Sequence, residues 1–301
     1  MSNTGHGHSH SSPDNNLAFA VGVVLNLAFV GVEVGFGIAA NSLALLSDAA
    51  HNLSDVFGLL IAWGAIYLGN SLPTKRRTYG LRRSSILAAL INAIGLLVVV
   101  GGIAWEAIVR FGQPEGVHGG TVIWVAAGGV VINTISALFF MAGRKKDLNV
   151  KGAFLHMVGD AAVSLAVVLI GAGILMTGWN WLDPAISVAI CGVIVWGTWG
   201  LLRESLALAM DAVPEGIDAQ AVEAYLAALP GVAAVHDLHI WGMSTTEAAL
   251  TAHLVMPEPP ANDKLLGDVC HDLRHRFEIG HVTIQIERGD IACHQAPAHV
   301  V

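Results

Sequence analysis

Two short stretches carry the same chemistry at the same spacing. His51 and Asp55 stand four positions apart in Ser47-Asp48-Ala49-Ala50-His51-Asn52-Leu53-Ser54-Asp55, and His156 and Asp160 repeat that spacing in His156-Met157-Val158-Gly159-Asp160. On a helix this spacing puts both side chains on one face, about 6 Å apart along the axis. Each pair offers an imidazole nitrogen and a carboxylate oxygen. Two such pairs on facing helices would present the ligand types that hold tetrahedral zinc at about 2.0–2.2 Å. Two ionised aspartates also cancel the charge of a divalent ion, so the loaded site is near neutral. Catalytic zinc keeps an open coordination position and a general base. Here the ligand sphere closes, and the sequence has no His-Glu-x-x-His and no Gly-x-Ser-x-Gly. The set therefore suits binding and release rather than hydrolysis. Internal hydrogen bonds holding a bundle together would account for one such pair; identical spacing on two spans favours a ligand set. Asp48, on a similar face to His51, either lines an ion path or positions its helix. Glu33, Asn26, Asn92 and Asn133 read as interhelical hydrogen bonders. Glu106 and Asp183 fall near membrane ends and need no functional reading.

The elements that position these residues are apolar runs. The chain has 301 residues, 54% of them hydrophobic, with a mean hydropathy of +0.62. Charged residues make up 13%, against about a quarter in ordinary soluble domains. Six spans are expected at about 17–40, 42–70, 84–109, 119–142, 151–177 and 184–204, each near the roughly 20 residues that a bilayer requires. An ionisable group at the centre of such a span costs about 2.5–3.5 kcal/mol, so the His and Asp pairs need a reason to be there. Nine of the fifteen Lys and Arg residues lie in two loops. One holds Lys75, Arg76, Arg77, Arg82 and Arg83, the other Arg144, Lys145, Lys146 and Lys151. The positive-inside rule places both loops in the cytoplasm, and with six spans both termini as well. The first 16 residues lack the pattern of a cleaved signal, so the first span serves as the insertion signal. The product is an integral, multi-pass protein of the cell inner membrane, if bacterial. A net charge of −8 argues against a nucleic-acid partner. Cys191, Cys270 and Cys293 form no Cys-x-x-Cys and no disulfide framework.

The chain divides into a His-containing tail at 1–16, a membrane domain at 17–211, a soluble domain at 212–290 and a tail at 291–301. The soluble part reads as αββαβ: a helix over Ala219–Leu229, strands over Val232–Ile240 and Glu247–Met256, a helix over Asp263–Phe277 with Asn262 as N-cap, and a strand over His281–Glu287. The fold class is an α-helical membrane protein: a six-transmembrane-helix bundle followed by a small cytoplasmic α+β (αββαβ) domain.

Three stretches together resemble the cation diffusion facilitator family, in its zinc-transporter and cobalt–zinc–cadmium branch. They are Leu46 to Asp55, Asn149 to Asp160, and Val235-His236-Asp237-Leu238-His239-Ile240-Trp241. The resemblance covers nearly the whole chain. It implies a homodimer that exports a divalent metal from the cytoplasm by alternating access in exchange for protons. It also implies that His51, Asp55, His156 and Asp160 are the transport ligands. Histidines at these positions favour zinc, with cadmium or cobalt as alternatives. Proton exchange is chemically reasonable, because binding needs neutral imidazoles and ionised carboxylates, so protons and metal compete. His236, His253 and Glu287 match zinc positions of the family's cytoplasmic domain, and His271 matches a ligand position in some members. Gln285 stands where some bacterial members have His and Glu287 where they have Asp, which points to one metal rather than two. His239, His275 and His281 read as surface or packing residues. The His6-Gly7-His8-Ser9-His10 tract is suited to collecting metal, or to completing a partner's site together with Cys293 and His294. Arg82 or Arg83 resembles the family cation that pairs with an acid below the sixth span, here Asp211. The family is one of transporters and not of enzymes. Two other readings of the residues stand beside it: an intramembrane zinc enzyme, and a membrane metal sensor.

Overall fold

The computed structural model describes residues 13–69, 73–112, 115–141, 148–260, 262–291 and 293–295; inside its helices the side chains of 13–23, 25, 58–59, 61–63, 65–69, 139–141 and 148–156 lie outside the description. The histidines of the N-terminal tract and the basic run 144–146 also lie outside the described residues.

Six long helices come first: α1 (Pro13–Ala39), α2 (Leu43–Gly69), α3 (Ser84–Gly112), α4 (Gly119–Met141), α5 (Leu148–Thr177) and α6 (Leu182–Ala209). Each has between 23 and 30 residues, a length of about 35–45 Å against a hydrocarbon core of about 30 Å. Among the described residues, Ser84–Gly112, Gly119–Leu138, Met157–Thr177 and Leu182–Ala209 are long and apolar enough to cross a membrane, and Asn26–Ala39 is a shorter apolar stretch. The helices match the expected spans closely. The clearest difference is α6, which runs past the expected end at 204 to Ala209. Hydropathy marks where a helix meets lipid; the backbone ladder continues through Arg203 and Glu204 into water.

The chain packs as two compact units, Met1–Leu60 with Ile94–Thr198, and Ile61–Ala93 with Trp199–Val301. The first has a core of small residues (Ala40, Ala44, Ala50 and Ala126) with Leu45, Val100, Val122 and Val167. Within it α4 and α5 run close together. A Cβ on Gly119 would stand 2.8 Å from the Gly171 carbonyl oxygen, and one on Gly171 would stand 2.9 Å from Ile123. Lipid is as apolar as the side chains, so such helices associate by close backbone approach rather than by the hydrophobic effect. Trp124, Leu169 and Trp196 are exposed, as lipid-facing residues are. Asp183 has a larger role than its place at a membrane end suggests. Fully buried, it accepts from Ser42 Oγ at 2.5 Å and from the Leu43 N–H at 2.8 Å. It thereby satisfies orphan donors at the start of α2 and sits at the positive end of that helix dipole. Asn41 makes the preceding turn at φ 56°, a conformation that asparagine tolerates.

The second unit holds the soluble fold: α7 (Ala219–Ala227), β1 (Ala234–Gly242), β2 (Ala248–Val255), α8 (Lys264–Arg276) and β3 (Ile279–Glu287). The sheet order is β1-β2-β3, with β1 antiparallel and β3 parallel to β2. The central strand β2 is buried along almost its whole length, whereas β3 turns Val282, Ile284 and Ile286 inward and alternates. Val222 and Leu226 of α7 share one apolar cluster with Val269 and Leu273 of α8 and with Leu250, Leu254 and Ile279 of the sheet. The expected αββαβ order is therefore the observed one. The N-cap of α8 is Asp263, not Asn262. Asn262 instead folds its Oδ1 onto the Lys264 N–H at 3.1 Å, a local turn that competes with capping. Two of the four arginines between α2 and α3 find partners in this unit. Arg83 pairs with Asp211 and Arg82 with Glu247, while Ser85 Oγ accepts from the Thr245 N–H at 3.2 Å.

Candidate metal sites

The intramembrane site begins with α2, whose N-terminus Asp183 anchors. One helical turn separates His51 from Asp55, and their side chains meet: His51 Nε2 lies 3.8 Å from Asp55 Oδ2. Asp160 of α5 comes to the same point, its Oδ1 3.2 Å from His51 Nε2. The donor atoms of His51, Asp55 and Asp160 all lie within 4.8 Å of one another. Around an ion held at about 2.1 Å, tetrahedral donors stand about 3.4 Å apart, so these separations have the scale of a coordination shell. Asp160 is buried, while His51 and Asp55 are about a quarter exposed, which leaves an approach for an ion. His156 sits in α5 one turn before Asp160; its side chain lies outside the described residues. Asp48 does not join the cluster. Its Oδ2 accepts from Ser164 Oγ at 2.9 Å, and Ser164 reaches it across Gly129 of α4, where a Cβ would stand 2.8 Å from the hydroxyl. Glu33 bonds across helices, as expected, to Asn52.

A second cluster forms on the sheet. The β1–β2 register places His236 opposite His253, and the β2–β3 register brings Glu287 alongside at the end of the sheet. His236 Nε2 lies 3.2 Å from Glu287 Oε2, and His253 Nδ1 lies 3.1 Å from Glu287 Oε1. Cys293 completes the group, its Sγ 3.7 Å from His253 Nδ1. All four residues offer donor atoms within 4.8 Å of one another. Two imidazoles, a carboxylate and a thiol are a donor set that fits zinc. Burial pushes the Glu287 carboxyl up, but hydrogen bonds from Gln285 and Cys293 and the neighbouring His236 and His253 outweigh it and hold it below the usual glutamate value.

Two residues of this cluster were not expected in these roles. Asp237 sits in a β-bulge between His236 and His239 at φ 51°. The bulge turns its carboxylate toward His253, with Oδ2 3.4 Å from His253 Nε2 and Oδ1 2.8 Å from His239 Nε2. The left-handed conformation that permits this is one that Asp adopts readily. Cys293 arrives because the chain folds back after β3 within the same protomer; the reading that gave it to a partner's site is not needed to account for its position. Gln285, at the position where a histidine would be a ligand, donates to Glu287 Oε1 at 2.8 Å. His271 is not brought to the cluster. It lies exposed on α8 with its ring 4.3 Å from that of His275. His239 is more than a packing residue, since it shares Asp237 with His253.

Comparison with known proteins agrees with this architecture. Residues 19–208 match the cation efflux transmembrane domain, and residues 214–289 match the cytoplasmic domain of cation efflux proteins. The chain is 39% identical over 297 residues to the metal cation efflux system protein CzcD of Cupriavidus metallidurans, covering 98% of this chain and 93% of that protein. It is 36% identical over 304 residues to the zinc transporter ZitB of Escherichia coli, covering 98% and 96%. It is 32% identical over 286 residues to a cadmium, cobalt and zinc/H(+)-K(+) antiporter of Bacillus subtilis, covering 93% and 92%. The six helices, the αββαβ domain and these matches along nearly the whole length identify the chain as an integral, multi-pass membrane protein that belongs to the cation efflux family.

Proposed function

We propose that this protein carries a divalent transition metal, zinc first, out of the cytoplasm in exchange for protons. His51, Asp55, His156 and Asp160 are its carrier ligands. The observation that supports this reading most is the convergence of donor atoms from α2 and α5 within 4.8 Å. The ion is the substrate. It binds when the imidazoles are neutral and the carboxylates ionised, and it leaves when protons take its place. An imidazole of reference pKa about 6.5 makes that trade over physiological pH. Alternating access then needs α2 and α5 to shift together, so that the site opens to one side at a time. Cadmium and cobalt are acceptable to the same donors. The domain limits are 17–211 for the membrane part and 212–290 for the cytoplasmic part, with both termini cytoplasmic and, in a bacterium, the inner membrane as location.

The cluster of His236, His253, Glu287 and Cys293 is a resident metal site. Its ion would tie β1, β2, β3 and the C-terminal tail together and supply folding energy to a small domain. Working as a homodimer fits a cytoplasmic domain whose family is named for a dimer. With His156 as fourth ligand the carrier site would have no open coordination position, which argues for a carrier over an enzyme.

The test is flux in proteoliposomes under an imposed pH gradient, comparing zinc, cadmium, cobalt and manganese. Zinc flux should follow the gradient and reverse with it. His51→Ala and Asp160→Asn should each lower it to background while the protein still elutes as a folded species. Flux at wild-type rate in either variant rules out the ligand assignment.

A further inference from the structure

A second set of ionisable groups lies beside the carrier site and is not needed to hold the ion. Glu33 of α1 and Asp48 of α2 are both fully buried, and their carboxyls are close neighbours. Each has one oxygen served by a neutral donor. Asn52 Nδ2 donates to Glu33 Oε2 at 2.9 Å, and Ser164 Oγ donates to Asp48 Oδ2 at 2.9 Å. The remaining oxygens, Glu33 Oε1 and Asp48 Oδ1, are buried and have no donor among the described residues. Among the described residues, the ionisable groups that act on the pair are His51 of α2 and Asp160 of α5, both on the Asp48 side. Among the described residues, neither carboxyl has a lysine or arginine as an ion-pair partner.

Two adjacent buried carboxyls without a cation do not both ionise; one keeps a proton and donates it to the other. A single shared proton would satisfy both oxygens that lack a donor. We propose that Glu33 and Asp48 form a carboxyl pair that holds one shared proton beside the carrier site and releases it when a divalent cation binds there. The proposal rests on the reading of His51, Asp55 and Asp160 as carrier ligands. The balance is simple: the ion brings two positive charges next to Asp48, one proton leaves the pair for water, and the pair takes one back when the ion departs. In a medium of low dielectric the ion favours the ionised pair strongly. The geometry also links the pair to the moving parts. Asn52 follows His51 directly, and Ser164 lies one turn after Asp160. A shift of α2 or α5 that closes the ligands therefore moves the donors that the pair leans on.

Protons released per ion bound can be counted by calorimetric zinc titration of the full-length protein in buffers of different ionisation enthalpy. A His253→Ala background silences the cytoplasmic cluster. In Glu33→Gln or Asp48→Asn, an amide replaces one carboxyl and can donate to the other, so no proton need be stored. Each variant should still bind zinc, release about one proton fewer per ion, and show an affinity that falls less steeply with acidification by that same proton. An unchanged count in either folded variant overturns the pair and leaves it a packing feature. Infrared difference spectra of the unsubstituted protein need no variant: zinc must bleach a protonated-carboxyl band, and no bleach also overturns the proposal. His51→Ala is the separate arm. If it binds zinc as the parent does, the carrier-site reading fails, whereas the proton count of Glu33→Gln bears on the pair alone.

Discussion

At the scale of single residues, His253 divides its two ring nitrogens between two jobs. Nδ1 faces Glu287 and Cys293, while Nε2 faces Asp237 at 3.4 Å. A carboxylate on the far nitrogen fixes the tautomer and the ring plane and makes the near nitrogen a better ligand. Asp237→Ala should therefore weaken zinc binding at the cytoplasmic cluster by about 10- to 100-fold, read by competition with a zinc-sensitive dye, with the domain still folded. Asp237→Asn keeps an acceptor and a residue tolerant of φ 51°, so it should fall between the two. Affinity unchanged in Asp237→Ala would mean that the ring is held by packing alone. The sequence made His51, Asp55 and Asp160 legible because a helix converts spacing into direction: four positions is one face. It did not make Asp237 legible, and it offered Cys293 only for a partner's site. A regular strand alternates faces, so His236 and Asp237 should point apart; one bulge cancels that rule. Cys293 lies six residues beyond Glu287, in a tail with no periodicity to read. His271 is the opposite case: matching a position in relatives says nothing of where its own helix turns it, and its ring lies beside that of His275.

At the scale of elements, the close approach of α4 and α5 sets where Asp160 stands. Gly119 and Gly171 allow that approach, and Gly129 admits the Ser164 hydroxyl. A methyl group on Gly171 would meet Ile123 at 2.9 Å and the Gly119 carbonyl oxygen at 3.1 Å, and the carbonyl is backbone that cannot turn aside. Gly171→Ala should destabilise the detergent-solubilised protein by about 1–3 kcal/mol, the usual cost of overpacking, seen as a lower melting temperature and reduced zinc affinity. Gly192→Ala on α6, where a Cβ meets nothing within 4 Å, is the control that should leave both unchanged. Equal melting of the two variants would show that α4 and α5 have room to part. The helices themselves were plain in the sequence, because a run of apolar residues in a bilayer has no other way to satisfy its backbone. Their contacts were not. Glycine and alanine carry no hydropathy signal strong enough to mark a packing face. The Asp183 cap on α2 joins residues 140 positions apart, beyond the reach of any local pattern.

At the scale of the whole molecule, orientation is argued by charge. Nine of fifteen Lys and Arg residues fall in two loops, and two arginines of the first, Arg83 and Arg82, are tied to acids at the start of the soluble fold and just before its central strand, Asp211 and Glu247. That loop and the soluble domain must then share one side of the membrane, and the charge bias predicts the cytoplasmic one. The cysteines offer a direct check, because their accessibilities differ. Cys270 on α8 is exposed, Cys191 in α6 is buried, and Cys293 is partly covered beside His253. A membrane-impermeant maleimide should label Cys270 in inside-out vesicles and leave it untouched in intact cells. In a Cys270→Ser background the remaining reaction in inside-out vesicles should come from Cys293. Zinc should slow it, since a thiolate bound to metal is a poor nucleophile, and a chelator should restore it. Labelling of Cys270 in intact cells would invert the topology, and with it the direction of transport. Cys293 labelling indifferent to zinc would remove the thiol from the cytoplasmic cluster while leaving the orientation standing.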